Sequence, residues 1–561
     1  MLRVQSHWDV VRHHTMKPSS LRLSRRRFLT SSGSSLAATL LPHSWVRADL
    51  SAASEFGCVV GEPIVEGVGA LILAQGGNAV DALVATALAG AVSQPHQTGV
   101  GGYGSHGVFA MDGGKRIAAI DANSTAPAAF TADIFKPDAS GKVPGGKNDH
   151  GWLATGVPGV IAGLKLALDE FGTMPFSEIL QPAIKLTRDG VPVTKALAGI
   201  LARTVAFKRD PGSAKLYLPG GTSPAAGSLW KNPELAEVLS TLAKANSIEP
   251  FYRGDIAQHI ADGFAKNGGL VTAKDMAAYH ARVVEPLKLN WGAHTIHTAP
   301  LTCGGFTVLQ MLAILKAMKW HEMPAGLPRI HARIEVMRLA WRDRLTWLGD
   351  PDFVSVPQAK LLSDDYAAEC AEKILTEVKA GRILSHGLET KTQGGTLNFS
   401  ACDKQGNIAA LTLTHGNSFG AQVTVEGLGL TLGHGMSRFD PRPDHPNAPG
   451  PGKRPLHNMA PCVITQSGRP VVAIGGRGGR KIPNAMLEFL TQYIIEKQSF
   501  STSLAAPRIH TEGTKSLEFQ KAWPVAEIDA LAKLGYQIKT GGSATLSAVA
   551  NENGKWIAGM P

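Results

Sequence analysis

A threonine that directly follows two glycines could act as a nucleophile about two-thirds of the way along this 561-residue chain. The local string is Gly394-Gly395-Thr396-Leu397-Asn398. A threonine hydroxyl attacks poorly unless a base lies beside it. One such base is the amine that is released when the chain is cut before the threonine. The pattern therefore predicts a precursor that is cut between Gly395 and Thr396, with Thr396 at the start of the new chain.

The residues around Thr396 predict a β-hairpin that places a second hydroxyl beside it. Apolar and polar residues alternate from Thr396 to Cys402, turn formers fill 403–407, and a second strand extends from Ile408 to Thr414. With a five-residue loop, Cys402 pairs with Ile408 and Thr396 lies opposite Thr414, with β-carbons about 5 Å apart. Threonine is also common in strands, so an ordinary turn leading into a strand is the alternative interpretation.

Short motifs follow one another in a fixed order along most of the chain. They are Gly76-Gly77-Asn78-Ala79-Val80-Asp81-Ala82, Gln94-Pro95-His96, Gly99-Val100-Gly101-Gly102, Thr155-Gly156-Val157-Pro158-Gly159, Phe251-Tyr252-Arg253-Gly254, Asp343-Arg344, Gly349-Asp350-Pro351, Lys453-Arg454-Pro455-Leu456 and Gly475-Gly476-Arg477-Gly478-Gly479. In order and spacing, the segment from about residue 57 to 551 resembles the gamma-glutamyltranspeptidase family of N-terminal-nucleophile hydrolases. The resemblance implies amide hydrolysis or acyl transfer through a threonine acyl-enzyme.

The resemblance also implies a role for each residue at a catalytic position of the family. Thr396 would attack an amide carbonyl with its own amine as base, after first attacking the Gly395 carbonyl to cut the precursor. Thr414 would orient the hydroxyl or the amine of Thr396. The backbone amides of Gly478 and Gly479 would form the oxyanion hole, where glycine allows close approach of the carbonyl oxygen. An ordinary glycine-rich turn is the alternative at these two positions.

The candidate substrate-binding residues depart from the family pattern. Family members that act on gamma-glutamyl compounds hold the α-carboxylate with an arginine and the α-amino group with an acidic residue. The corresponding residues here are Asn123 and Arg438. A serine pair of the family is replaced by His457 and Asn458, and Asn398 stands where the family has histidine. The catalytic residues are thus kept while the residues that bind an α-amino acid are not.

The positive charge at Arg438 favours a different class of substrate. A guanidinium repels an ammonium group by about 1–4 kcal/mol at contact distance, but it can hold a carboxylate through two hydrogen bonds. We therefore expect an amide that carries a carboxylate and no free α-amino group, such as an oxamate-like or dicarboxylic-acyl amide. Two other functions stay open: a true gamma-glutamyltranspeptidase or glutathione hydrolase, and a processed, non-catalytic binding protein. In a further alternative, Arg438 pairs with a nearby acid such as Asp440 and only holds a loop.

Composition and periodicity predict an α/β fold with a large core. Hydrophobic residues make up 44% of the chain, and helical and strand patterns alternate without a long polar linker. A helix is expected to stop at Gly76-Gly77, and Asn78 is expected to cap a buried helix that extends to about Val92. The family resemblance implies a four-layer αββα sandwich built from two subunits, a large one at 49–395 and a small one at 396–561.

The first 48 residues are interpreted as an export signal. Ser24-Arg25-Arg26-Arg27-Phe28-Leu29 matches a twin-arginine signal, and Val46-Arg47-Ala48 is a candidate cleavage site. The apolar stretch between them is too short for a stable membrane anchor. This segment carries eight Lys or Arg and one Asp, so +7 of the formal +11 charge belongs to it and +4 to the rest. We therefore expect a periplasmic or secreted protein, exported in the folded state, and no nucleic-acid partner.

The cysteines and histidines do not have the spacing of metal sites. The five cysteines are scattered and form no CxxC pair, and no HExxH motif is present. We expect no metal and no cofactor. The expected partners are a small-molecule amide and, within the molecule, the other subunit of the cut precursor, which would form a heterodimer.

Overall fold

A computed structural model describes residues 50–385 and 395–561 of the protein. The expected export signal at 1–48 lies outside the described residues. In the described part of the chain, no helix combines the length and the apolar character needed to cross a bilayer.

Two antiparallel sheets form the centre of the molecule. The six-stranded sheet has the order Gly57–Val60, Leu397–Asp403, Ile408–Thr414, Gly104–Met111, Arg116–Ala122 and Arg282–Val284. The seven-stranded sheet has the order Leu50–Ala52, Lys555–Gly559, Thr545–Glu552, Arg469–Arg477, Cys462–Gln466, His294–Thr298 and Leu287–Trp291. The strand Leu397–Asp403 lies between its hairpin partner Ile408–Thr414 and the early strand Gly57–Val60, which is far from it in sequence.

Helices pack on the outer face of each sheet. The α-helices are Glu66–Ala74, Ala79–Ser93, Val160–Phe171, Phe176–Ile179, Gln181–Asp189, Lys195–Arg203, Pro211–Tyr217, Pro233–Ala245, Glu249–Tyr252, Asp255–Lys266, Ala273–Ala278, Gly305–Ala317, Leu327–Trp347, Gln358–Leu361, Asp364–Lys379, Lys481–Leu490, Phe500–Ala505 and Val525–Lys533. Small sheets add the strands Val191–Pro192 with Leu229–Trp230, Thr424–Val425 with Leu430–Thr431, and Ile509–His510 with Ser516–Phe519 and Gln537–Thr540.

Three hydrophobic cores separate the four layers. One core joins the fully buried helix Ala79–Ser93 to the outer face of the six-stranded sheet. A second joins helices such as Gly305–Ala317 and Lys481–Leu490 to the seven-stranded sheet. The third lies between the sheets and includes Ala410 and Ala473. The order helix, sheet, sheet, helix confirms the expected αββα sandwich.

The central buried helix Ala79–Ser93 begins after Asn78, where the sequence predicts its cap. The Asn78 side chain accepts hydrogen bonds from the backbone of Val80 and Asp81, and the Asp81 carboxylate accepts one from the Asn78 amide. This reciprocal cap satisfies amides that have no partner inside the helix. Asp81 also accepts hydrogen bonds from the backbone and hydroxyl of Thr173, so the start of the helix is tied to the loop that follows helix Val160–Phe171.

The hairpin has the predicted register. Cys402 lies opposite Ile408, and Leu397 opposite Leu413, as the alternation and the five-residue loop predict. Within the loop, the Asp403 amide donates to the Asn407 carbonyl. The Asp403 carboxylate then accepts from the backbone amides at 405 and 407, which fixes the turn.

Candidate active site

The two threonines at the open end of the hairpin are in contact. Thr396 Oγ1 lies 3.1 Å from Thr414 Oγ1, as expected for residues that continue the strand register. Both side chains are buried, with exposed fractions of 5% and 1%. Burial in a fixed register removes the rotamer freedom that either hydroxyl would have on a loop, so this contact is built into the sheet.

The carbonyl that precedes Thr396 is held by two donors from the partner strand. The Thr414 hydroxyl donates to the Gly395 oxygen, and the Gly416 amide lies 3.2 Å from the same oxygen. Gly416 has a φ of +91°, which favours glycine. Two donors aimed at one carbonyl oxygen stabilise the negative charge that develops there when a nucleophile attacks its carbon. The attacking group nearest in sequence is the Thr396 hydroxyl.

Gly478 and Gly479 form the turn between strand Arg469–Arg477 and helix Lys481–Leu490. Their φ angles are +141° and +62°, both in the region that favours glycine. Their carbonyls accept from the first amides of the helix, at 3.3 and 3.2 Å. The turn therefore lies at a helix N-terminus, where backbone amides favour negative charge.

Contacts just before this turn bring it to the nucleophile strand. A β-carbon at Gly475 would lie 2.1 Å from Asn398 Oδ1, so the two sheets meet with no space for a side chain. Arg477 forms an ion pair with Glu62 at 3.1 Å, beside the strand that neighbours Asn398. Asn398 is two residues from Thr396, so the glycine turn follows directly from a point of sheet contact near the nucleophile.

Asn398 is buried and its amide is occupied by protein groups. The amide lies 2.7 Å from Thr412 Oγ1 and 2.8 Å from Ser547 Oγ. Ser547 belongs to the opposite sheet and also donates to the Asn398 carbonyl at 3.0 Å. The side chain therefore joins the two sheets below Thr396. Its expected contact with substrate stays a prediction, and the geometry favours a positioning role.

Arg438 reaches the same end of the hairpin and does not pair with Asp440. Its guanidinium donates to the Gly416 carbonyl at 3.1 Å and to the His434 ring. Asp440 instead forms a two-point ion pair with Arg442, with both hydrogen bonds at 2.7 Å. Arg438 therefore does not pair with Asp440, and the nearby acid whose charge acts on it is Asp149. Burial lowers the pKa of Arg438, which an arginine tolerates without losing its charge at neutral pH.

A neutral histidine contacts this arginine. Burial, with Arg438 adding to the effect, holds the pKa of His434 well below its usual range. A neutral His434 can accept a hydrogen bond from Arg438, so it orients the guanidinium without neutralising it. The charge of Asp149 opposes the effect of burial on the pKa of Arg438. Burial also lowers the pKa of His415 to about 3 and that of His96 to about 4.

Asn123, His457 and Asn458 belong to one connected network. The Asn123 amide donates to Thr302 Oγ1 at 2.7 Å and to a backbone carbonyl at 2.6 Å. The His457 amide donates to the Thr302 carbonyl, and Arg344 donates to the His457 carbonyl at 2.6 Å and to Asn458 Oδ1 at 3.3 Å. The structure brings these three predicted residues together, but Asn123 is fully buried and its donors already have protein partners.

Several residues near the site carry no signal in the sequence. His106 contacts Asp121 at 2.8 Å and the His457 ring at 3.3 Å, although 351 positions separate the two histidines. Burial opposes ionisation of Asp121, but His106 and nearby arginines keep its pKa well below the usual range. Tyr103 packs on Gly416, and only its place after the motif Gly99–Gly102 could have drawn attention to it. These contacts form only when the sheets assemble.

Among residues 50–385 and 395–561, no cluster of three or more His, Cys, Asp or Glu side chains is arranged to hold a metal ion.

Comparisons with known proteins agree with this geometry. The gamma-glutamyltranspeptidase family model matches residues 66–560. The acylase ACY 1 proenzyme of a Pseudomonas species is 33% identical over 488 residues, covering 86% of each chain. The glutathione hydrolase proenzyme of Escherichia coli is 33% identical over 464 residues, covering 79% of this chain and 78% of its own.

Solved structures support the same assignment. The crystal structure of cephalosporin acylase from Bacillus halodurans matches with a TM-score of 0.82 and 25% identity, covering 93% of this chain and 97% of that chain. The gamma-glutamyltranspeptidase from Pseudomonas nitroreducens matches with a TM-score of 0.52 and 29% identity, covering 59% of this chain and 95% of that chain. Since the family match covers nearly all of the described residues, the chain belongs to the gamma-glutamyltranspeptidase family and is an enzyme of its hydrolase and acylase group.

Proposed function

We propose that the protein is a self-processing amide hydrolase with Thr396 as nucleophile. The observation that carries this proposal is the pair of donors, Thr414 Oγ1 and Gly416 N, on the Gly395 carbonyl oxygen beside the Thr396 hydroxyl. Cleavage would give a large subunit at 49–395 and a small subunit at 396–561, which stay together as a heterodimer. The names of the related acylase and glutathione hydrolase, both called proenzymes, agree with such a cut.

The cut would proceed through an ester. Thr396 Oγ1 attacks the Gly395 carbonyl carbon, and the two donors stabilise the oxyanion. The bond between the Gly395 carbon and the Thr396 nitrogen breaks, the proton from the hydroxyl goes to that nitrogen, and Gly395 is left esterified to Thr396. Water then hydrolyses the ester, which restores the hydroxyl and leaves a free amine on Thr396.

Turnover would reuse the same hydroxyl on an external amide. The freed Thr396 amine accepts the proton from Oγ1, which attacks the substrate carbonyl. The carbon–nitrogen bond of the substrate amide then breaks, the leaving amine takes the proton from the Thr396 ammonium, and the acyl group stays on Oγ1 as an ester. The amides of Gly478 and Gly479, at a helix N-terminus, are proposed to stabilise this second oxyanion. Thr414 stays in contact with the nucleophile. Water completes the cycle by releasing the acid.

We propose that the acyl group carries a carboxylate that Arg438 recognises. Arg438 lies one hydrogen bond from Gly416, whose amide contacts the Gly395 carbonyl, so its charge is close to the reacting groups. Asp440 is committed to Arg442 and does not neutralise it. A substrate carboxylate satisfies such a guanidinium, whereas the ammonium of a gamma-glutamyl group is repelled. His457 and Asn458 are proposed to border the acyl chain.

Three anilides that differ by one group each would test this substrate class. Glutaryl-p-nitroanilide carries the distal carboxylate, butyryl-p-nitroanilide lacks it, and gamma-glutamyl-p-nitroanilide adds the α-ammonium. We expect the glutaryl compound to be cleaved with the highest kcat/KM. Equal rates on the glutaryl and butyryl compounds would exclude carboxylate recognition. An oxamate-like amide should be included, because the distance from Arg438 to the nucleophile sets the chain length.

The second candidate is a true glutathione hydrolase. The 33% identity to the glutathione hydrolase proenzyme of Escherichia coli favours it. It requires residues other than Arg438 to bind the α-ammonium. Faster turnover of the gamma-glutamyl anilide than of the glutaryl anilide, with transfer to dipeptide acceptors, would establish it and exclude the first candidate.

Intact-mass analysis with N-terminal sequencing tests the cut and the export signal together. We expect two chains, with the smaller one beginning Thr-Leu-Asn-Phe and the larger one beginning near residue 49 after export by the twin-arginine route. A single uncut chain in an exported, folded protein would contradict self-processing.

A further inference from the structure

We propose that Cys58 and Cys402 form a disulfide that joins the two subunits. The inter-subunit character of this bond rests on the proposed cut before Thr396, because Cys58 would then belong to the large subunit and Cys402 to the small one. The bond itself does not depend on the cut.

The two cysteines are direct neighbours across a pair of antiparallel strands. Cys402 is paired with Cys58 in the register of strands Leu397–Asp403 and Gly57–Val60, and their Sγ atoms are 3.5 Å apart. Directly opposed residues in such a pair have Cα atoms about 4.5 or 5.5 Å apart, and both values lie within the range that disulfides span. Small side-chain rotations would bring the sulfurs to bonding distance, about 2.05 Å.

The other three cysteines lie elsewhere. Cys303 donates to the Met459 carbonyl at 2.6 Å, and Cys462 lies 3.6 Å from the Ala460 carbonyl. Cys370 is on the helix Asp364–Lys379 in the core outside the seven-stranded sheet. All five cysteines are among the described residues, and the contact between Cys58 and Cys402 is the one thiol pair that they form.

The environment of the pair decides which thiol reacts first. Cys58 is half-buried, whereas Cys402 is fully buried. The neighbouring Cys58 thiol and burial raise the pKa of the Cys402 thiol. The thiolate is the reactive form, so Cys58 is the entry point for an oxidant and Cys402 is the resolving partner.

The oxidant is a small-molecule disulfide. The Cys58 thiolate attacks one sulfur of the oxidant, which breaks its sulfur–sulfur bond and releases one thiol that takes up the proton. Cys402 then attacks Cys58 Sγ in the mixed disulfide and releases the second thiol. Two protein hydrogens are lost and two small thiols are formed. Delivery by the expected export route to an oxidising compartment would favour this reaction.

The disulfide would attach the strand Leu397–Asp403 of the small subunit to the large subunit. Cys402 is six residues after Thr396 on the same strand, and that strand is hydrogen-bonded to the strand of Cys58 at the sheet edge. A covalent link here would keep the two subunits together even when the hydrogen bonds between these two strands break.

Non-reducing denaturing electrophoresis of the oxidised, processed protein tests the proposal. The full-length product is treated with 2-hydroxyethyl disulfide, which contains no amide that the enzyme could cut. We expect the two subunits to migrate together without reductant and apart with it. Subunits that migrate apart without reductant would overturn the proposal.

Two variants and a peptide map test the disulfide separately from protein folding and from cleavage of the precursor. Cys58→Ser should abolish the linkage, whereas Cys370→Ala, a cysteine in another core, should keep it. Proteolysis of the wild-type protein, followed by mass spectrometry, should yield one cross-linked peptide pair that contains Cys58 and Cys402, lighter by two hydrogens than the two peptides together. In an uncut chain, the cross-linked peptide pair still appears if the disulfide forms, and its absence contradicts the disulfide. Failure of the cut and failure of the disulfide therefore give different results.

Discussion

The hairpin that carries Thr396 and the network around Asn123 obtain their hydrogen-bond partners in different ways. The contacts of Thr414 with Thr396 and with the Gly395 carbonyl span 18 and 19 positions of sequence. The contacts of Asn123 with Thr302 and with a backbone carbonyl span 179 and 332 positions. The nucleophile is thus positioned by one local hairpin, and the substrate side is assembled from distant segments.

This difference affects how easily each region can change. A hairpin register is fixed by alternation and turn length, so a substitution that shifts it moves every side chain to the wrong face. A network of long-range contacts can exchange one residue at a time if its buried groups keep partners. We therefore propose that residues such as Arg438, which contacts the neutral His434, can vary in charge without moving the hairpin.

The largest effect on self-cleavage and amide turnover is expected from removal of the proposed nucleophile, Thr396, in the hairpin. Thr396→Ala should abolish self-cleavage and lower amide turnover by about a million-fold, as loss of a covalent nucleophile does elsewhere. Thr396→Ser should still be cut, because it keeps the hydroxyl. Mass spectrometry and the anilide assay measure both properties. Normal processing of the alanine variant would remove Thr396 from its proposed role.

A smaller effect is expected from the donor on the partner strand. Thr414→Ala removes one hydrogen bond to the Gly395 carbonyl and should slow cleavage about 100- to 1,000-fold, with Gly416 left as the second donor. Thr414→Ser should restore most of the rate. The measurement is the time course of precursor loss after refolding. Unchanged kinetics in the alanine variant would mean that this hydroxyl does not stabilise the oxyanion.

The long-range region should control specificity and leave processing intact. Arg438→Gln should lower kcat/KM for the glutaryl anilide about 10- to 100-fold, the value of one or two charge-assisted hydrogen bonds, and change the butyryl anilide much less. Arg438→Lys should give an intermediate result. Arg188→Gln is the matched control, since that exposed arginine pairs with Glu237, away from Arg438 and Asp440. An equal loss on both anilides would show that Arg438 supports the site and does not select the substrate.

The smallest effect is expected on the pH dependence of stability, through His415, which directly follows Thr414. His415 is buried with a pKa of about 3, below its usual 6.5, so the unfolded chain binds its proton more readily. Its contribution to stability is complete above pH 6.5 and declines as the pH falls towards 3, by about 1.4 kcal/mol per pH unit. Denaturant unfolding at pH 7, 6 and 5 should show a steeper loss for the wild type than for His415→Gln. Parallel pH dependences would contradict a neutral buried His415.

The hairpin and the sandwich could be predicted from the sequence, and the surroundings of Arg438 could be predicted only in part. Alternation from Thr396 onward gave the register, because strand period and turn chemistry act over a few residues. The sign of charge at Arg438 could also be read, but its release from Asp440 could not. Arg442, two positions after Asp440, binds the Asp440 carboxylate through its backbone amide and its side chain, and only the geometry of this turn shows that Arg442 is the partner.

Asn123 shows the limit of transferring a site by position. The family resemblance implies a substrate-binding role for Asn123, but the fold buries it completely and directs its amide to Thr302. Which groups remain open to substrate depends on packing between segments more than a hundred positions apart. His106 and Tyr103 were missed for the same reason.

The donors on the Gly395 carbonyl, Thr414 and Gly416, belong to the end of strand Ile408–Thr414 and the residues just after it. If the chain is cut as proposed, an unfolded or misregistered precursor would lack both donors and would stay uncut. The proposed catalytic amine would then be released only in molecules whose central sheet has already paired. Self-processing would thereby act as a test of correct assembly.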